Sequence, residues 1–404
     1  MAVEPGALER CTDTKVLAFG AGFLVVAAVV GVLLSLHGSP PPHKRLHPSS
    51  SHHAVHHPPR TSKPPSQPQP SHTKTSPSTS STGSTPPGGP VPANFAPQSF
   101  TAISELTWWM LGSAPCSHPT CTSIVRTSDG GRTFAGIPAP VAPLATGPQS
   151  GTPGVSELRF ADSHDGFAYG PSLFVTHNAG QSWEQVNLGA AVTNIAISST
   201  DVYALVASSG GAGKLVRSPT GASNWVPLSV SVSAYGGLSV HGSDVFAQSG
   251  PKLLVSHDGG GTFSSYPAPS DLPCDFEEPV PPVVWAHCAT GTESSTWRSS
   301  DGGRRFTAPG PGSGEAGIAP EPNSAVFAAA SDTTAVLGYQ QLYRTTDGGA
   351  TYSPVAPGGF TWRYLGFTDS THGVALGYPA GGSPIGRLFY TAHGGASYHL
   401  VPIH

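Results

Sequence analysis

The chain has 404 residues, of which 50 are Gly and 43 Pro, while charged residues make up only 10%. Its formal net charge is −4 with neutral histidine, which argues against a basic nucleic-acid-binding protein, and 37% hydrophobic content suffices for a sizeable core. Five cysteines are too few for a disulfide-dense miniprotein but allow two pairs.

In chain order, residues 1–15 form a polar head in which Arg10 and Lys15 face three acids. Val16 to Leu36 is an uncharged run of 21 residues, rich in Val, Leu, Ala and Gly and long enough to cross a bilayer as a helix. The expectation is a cytoplasmic N-terminus over 1–15 and a single transmembrane helix over 16–36. A cleaved signal peptide is the rival reading, but no small-x-small site follows the run, and the run is longer than a usual signal core. Lys44 and Arg45 flank its far side, so basic residues alone leave the orientation open.

Residues 37–97 are dominated by Pro, Ser, Thr and His and contain no acidic residue. Such a segment cannot bury enough apolar surface to fold, and its prolines keep it extended, so it is expected to be a disordered stalk. Eight of the 18 histidines fall here, including the pairs His52-His53 and His56-His57. Metal chelation is one use for them; solvated spacers that gain charge as pH drops are the other. The stalk is basic and suited to contact an anionic cell-wall polymer.

Residues 98–404 have the opposite balance, 12 Lys or Arg against 20 Asp or Glu, and nucleic acid is not an expected partner. One octet recurs through them: TSDGGRTF at Thr127, THNAGQSW at Thr176, SHDGGGTF at Ser256, SSDGGRRF at Ser299, TTDGGATY at Thr345 and TAHGGASY at Thr391, with a worn copy, SPTGASNW, at Ser218. The third positions, Asp129, Asn178, Thr220, Asp258, Asp301, Asp347 and His393, are 38 to 49 residues apart, the size of a four-stranded propeller blade. Each octet reads as a hairpin turn. Glycines supply positive φ, the Asp accepts bonds from the turn's own amides, and the closing aromatic re-enters the sheet. An aromatic-alanine pair upstream of the octets, as at Phe167-Ala168, Tyr203-Ala204, Phe246-Ala247, Trp285-Ala286 and Phe327-Ala328, with looser versions at Trp109 and Val374, again counts seven. The expected fold is all-β, a seven-bladed β-propeller over 98–404, with six or eight blades as the alternatives.

On this blade template Cys116 and Cys121 bracket the loop between the second and third strands of blade one, and Cys274 and Cys288 fall on neighbouring antiparallel strands of blade five. Two disulfides and an extracytoplasmic propeller are therefore expected, with Cys11 reduced inside; four buried free thiols are the alternative. The corresponding location is the cell membrane, single-pass.

The octets resemble the Asp-box, or bacterial neuraminidase repeat, of sialidases, sortilin-type receptors, xyloglucanases and photosystem II assembly-factor-like proteins. FAPQSF at Phe95, LGSAPC at Leu111 and CTSIVRTSDGGRTF at Cys121 carry a further likeness to membrane-anchored, actinobacterial-style members of the sialidase-like and assembly-factor-like propeller group. The resemblance implies a propeller whose boxes lie on the face away from the functional one. It makes Asp129, Asn178, Asp258, Asp301, Asp347 and His393 structural. On the other face, loops entering first strands and joining second to third strands offer Glu157, Tyr235, Glu277, Glu278, Trp362 and Arg363 as candidate binding residues; solvated rim is the plainer reading of any one of them.

Two functions follow. The first is a non-enzymatic binding or scaffolding module for a protein or a surface glycan. The alternative, a sialidase-like or other glycoside hydrolase, needs an arginine cluster plus an acid and a nucleophile. Only Arg159 and Arg363 fall near first strands, and the Arg-Ile-Pro motif of sialidases is absent. No phosphate loop, Gly-x-Ser-x-Gly elbow or metal-type spacing occurs, so no catalytic residue, cofactor or metal is expected.

Overall fold

The computed structural model describes residues 88–117, 120–289, 293–308, 324–383 and 385–404. The expected cytoplasmic segment, membrane helix and all but the last residues of the expected stalk lie outside them. Among the described residues no helix is long and apolar enough to cross a membrane.

Seven antiparallel sheets follow one another along the chain, each with its strands in sequence order. Among the described residues six have four strands and blade five has three, its outer edge being a single bridge between Arg298 and Thr307. The first strands, Ala96–Ala102, Glu157–Phe160, Val192–Ile197, Leu238–His241, Cys274–Val280, Val326–Ala329 and Phe360–Phe367, line the axis, and they meet directly between blades one and two and at each junction from blade three to blade seven. Blade one starts earlier than the expected boundary at residue 98. Its first strand opens at Ala96, and upstream Gly89 exchanges two hydrogen bonds with Gly136 on the outer strand.

Where the core sits shows that the ring is closed. Seven buried clusters occupy the seven blade interfaces among the described residues, whereas an open row of seven sheets would have six. The seventh cluster joins Phe95, Phe100, Trp108, Met110 and Val125 of blade one to Val374 and Leu388 of blade seven. Among the described residues no strand is exchanged there; side chains close the ring, helped by the Tyr378 hydroxyl, which donates to the Pro97 carbonyl at 2.7 Å. Inner strands such as Gly166–Tyr169 and Leu173–Thr176 are buried at every position, so each sheet has two apolar faces and buries both by stacking on its neighbours around an axis.

The octets form the turns between third and fourth strands. In the first, the Thr127 hydroxyl donates to Asp129 Oδ1 (2.8 Å) and accepts from the Gly131 amide (3.0 Å), while Asp129 also accepts from the amide and hydroxyl of Thr133. The same pattern recurs at Asp258 and Asp347, and Asn178 reproduces it with an amide. Amide and hydroxyl donors hold Asp258 and Asp347 at about 2, below the usual carboxylate range: for Asp258 the Thr262 amide leads, for Asp347 the Thr351 hydroxyl. Every octet, the worn one included, donates a turn amide to the first hairpin of its own blade: Gly130 to Leu106, Ala179 to His164, Thr220 to Thr200, Gly259 to Ser243, Gly302 to Pro282, Gly348 to Thr333 and Gly394 to Thr371. Octets and first hairpins thus share one face of the ring.

The aromatic-alanine pair needs correction in blade six. Phe327-Ala328 lies on the first strand there, and the second strand is Ala335–Gly338. Elsewhere the pair lies on the second strand, as at Phe167 and Phe246. The count of seven survives because blade six still contributes one pair.

Candidate functional site

The face opposite the octets is built by the loops entering first strands and joining second to third strands. Both disulfides lie there: Cys116–Cys121 closes the loop after Trp108–Ala114, and Cys274–Cys288 links directly opposed residues where the first strand of blade five begins. Cross-linked loops of this kind hold their shape without a ligand.

Two short strands carry charge into the axis. In Glu157–Phe160 the two-residue period buries Leu158 and Phe160 and turns Glu157 and Arg159 inward. In Cys274–Val280 it does the same for Asp275 and Glu277. Arg159 Nη1 donates to the Leu158 carbonyl at 2.8 Å and stands 3.9 Å from Glu157, whose Oε2 accepts the Ser99 hydroxyl at 2.8 Å. Protein surrounds these groups while channel solvent still reaches Asp275. Burial pushes Glu157 and Asp275 up from the ordinary carboxylate range, with Arg159 opposing. Glu277 is pushed up to about 8 by burial and by Asp275, against the Ala329 amide that donates to it at 2.6 Å. Arg159, despite its own desolvation, is held firmly cationic by Tyr169, Tyr364, Glu157 and Asp275.

At the mouth of this channel two cavities flank the axis. The larger, about 610 Å³, lies at blades one, two and seven and is lined by Gln98, Thr146, Glu157, Thr361, Arg363 and Tyr378. The smaller, about 180 Å³, lies across the ring and is lined by Asn194, Tyr235, Asp275 and His287. Thr146 borders one and Pro148 and Gln149 the other, so the 138–156 connection crosses the mouth between them. Gln98 fastens it by donating to the carbonyls of Ala145 and Ser156. Arg363 packs over the Tyr339 ring at 5.6 Å, which aims its guanidinium across the rim.

Of the six residues singled out in sequence, Glu157, Glu277, Tyr235 and Arg363 come together at the channel and its mouth. Trp362 and Glu278 do not. Trp362 is fully buried between blades six and seven against Phe389, and its indole fills the space over Gly377, where an added Cβ would lie 3.0 Å from the ring. Glu278 is buried on the octet side of blade five, bonded to Asp244, and burial and that neighbour push it up to about 7. Strand alternation, which turns Asp275 and Glu277 inward, puts Glu278 on the opposite face with Phe276. Sequence reasoning missed Asp275, His287 and Gln98 and gave Arg159 no role. The alternation of Asp275 with Glu277 was the available signal, because two acids at i and i+2 in a strand share a face.

Among the described residues no three His, Cys, Asp or Glu side chains converge as a metal site. What the mouth offers is mixed: a fixed guanidinium, carboxyls and amide side chains around a solvent-filled opening.

No protein-family model and no curated protein matches the chain. Solved structures do. YCF48 bound to D1 peptide superposes with a TM-score of 0.50 at 17% identity, covering 75% of this chain and 95% of that one. YCF48 from Cyanidioschyzon merolae gives 0.50 at 14%, covering 75% and 97%. The likeness is one of fold. A Niastella koreensis GH74 enzyme gives 0.36 at 13%, covering 76% and 65%, too loose a superposition to bear on function.

Proposed function

We propose that the chain is a non-enzymatic binding module that captures a protein segment at the channel mouth. The observation that carries this reading is the divided opening, where Glu157 and Arg363 line one cavity and Asp275, Asn194 and Tyr235 the other. An extended peptide presents both charges and alternating donors and acceptors, and two cavities joined across a stiffened rim suit consecutive side chains better than one compact ligand. YCF48, of similar fold, is bound to a D1 peptide. In this reading the octets are Asp-boxes in a structural role, the propeller is extracytoplasmic, and 16–36 anchors it in the cell membrane with 37–97 as a stalk along wall polymer.

The second reading, a glycoside hydrolase, draws on Glu277, protonated near neutrality, on the same strand face as Asp275. Such a pair could divide acid and base roles. Against it, Glu277 is fastened to the Ala329 amide between blades five and six rather than presented to the mouth. The test is a peptide array and a glycan array probed with the full-length chain, wild type and Arg363→Glu. Peptide binding lost in Arg363→Glu supports the proposal; binding confined to glycans, or sugar release from a fluorogenic glycoside panel, overturns it.

A further inference from the structure

The seam where blades seven and one meet contains a third cavity, of about 190 Å³, toward the octet side. It is separate from the mouth, and nothing in the proposed function uses it. Its walls include the rings of Phe100, Trp108, Tyr364 and Tyr390. These rings hold one another: Phe100 lies 5.8 Å from Trp108 and 5.7 Å from Tyr364, and Trp108 stacks on Tyr390 at 5.5 Å. A pocket so braced exists before any ligand arrives.

Its polar groups sit at two ends. Arg159 reaches it from the channel, with a guanidinium that has five donors and gives Nη1 to the Leu158 carbonyl. Glu105 belongs to the first hairpin of blade one, on the outer rim, and its carboxylate is engaged by His372 Nε2 at 3.2 Å. His372 is in turn bonded to Asp369 at 2.7 Å, which ties the rim together across the seam. The anion at the rim is therefore already engaged, while Arg159, 3.9 Å from Glu157 on the channel side, keeps guanidinium donors beyond the one given to Leu158.

We infer that this seam cavity binds a small aromatic carboxylate, its ring among the four aromatic side chains and its carboxylate on Arg159. Size supports a single ring, because a dry apolar cavity of about 150 Å³ accepts benzene and the seam is only modestly larger. Planar two-point donation suits a carboxylate. A cationic ligand would gain from the rings but would meet the guanidinium.

The test titrates the full-length chain with phenylacetate, phenethylamine and benzyl alcohol, read by tryptophan fluorescence and equilibrium dialysis. Phenylacetate is expected to saturate, with phenethylamine weaker by roughly tenfold or more, the loss expected for one charge-assisted contact. Arg159→Gln should remove that preference while leaving benzyl alcohol binding unchanged. Ala102→Leu, which fills the cavity without touching charge, should abolish binding of all three. If Arg159→Gln does not fold, the wild-type ligand order and Ala102→Leu decide. Non-saturating phenylacetate, equal or tighter binding of phenethylamine, or unchanged binding in Ala102→Leu would overturn the assignment.

Discussion

Asp129 and Asp301 occupy the same position in two octets yet do different amounts of bonding. Asp129 accepts from the Thr127 hydroxyl and from both the amide and the hydroxyl of Thr133. Asp301 has Arg305 where Asp129 has Thr133, so it accepts the Ser299 hydroxyl and the Arg305 amide but no second hydroxyl. Asp129→Ala should therefore cost about 1–2 kcal/mol in denaturant unfolding and Asp301→Ala measurably less. Titration at the axis runs the other way. Glu277, raised from an ordinary 4.5 to about 8, is protonated in the fold across a range where the unfolded chain has ionised. Its contribution is complete below pH 4.5 and is lost as pH rises toward 8, opposite to the octet carboxylates, whose contribution is lost as pH falls through about 2. Glu277→Gln keeps an acceptor for Ala329 and should flatten the decline in thermal stability between pH 4.5 and 8. The octets were readable from sequence because their partners are local; Trp362 and Glu278 were misplaced because each was grouped with its strand neighbour, Arg363 or Glu277, and adjacent strand residues point to opposite faces.

At the scale of strands and loops, the 138–156 connection divides the mouth, and Gly170 explains how it sits so close. Gly170 has φ +87°, and a Cβ there would lie 2.5 Å from Ser156 Oγ and 3.0 Å from Pro148 Cα. Gly170→Ala should cost about 1–3 kcal/mol through backbone strain and displace the connection, weakening ligand capture as well as stability. Limited proteolysis within 146–152 should accelerate in that variant. The disulfides differ by their loops: Cys274–Cys288 spans 14 residues and Cys116–Cys121 spans 5. Chain entropy makes the longer link worth about 3 kcal/mol and the shorter about 1 kcal/mol less, so Cys274→Ser with Cys288→Ser should lower the melting temperature more than the other pair. Strand pairing of the cysteines followed from the repeat alone. The blade-six slip, Phe327 on a first strand, arose because that blade ends its first strand on the aromatic-small pattern other blades place on the second.

For the whole molecule, seven sheets and seven interface cores make a ring whose octet corners are self-satisfied and whose opposite face is left with charge. Corner acids spend their oxygens on their own turns, whereas Glu157, Asp275 and Arg363 line cavities open to solvent. The blade count was legible because the octet repeats; the mouth was legible only in part, because its residues come from six blades and no spacing along the chain brings them together. The central claim is that the loop face, not the octet face, meets the partner. Site-directed photo-crosslinking of the full-length chain in intact cells tests it most directly, with the photoreactive residue at Tyr235 on the mouth or at Arg304 in an octet, both exposed. The account predicts a discrete protein adduct from position 235 that Arg363→Glu removes, and none from position 304; an adduct from 304 alone would contradict it.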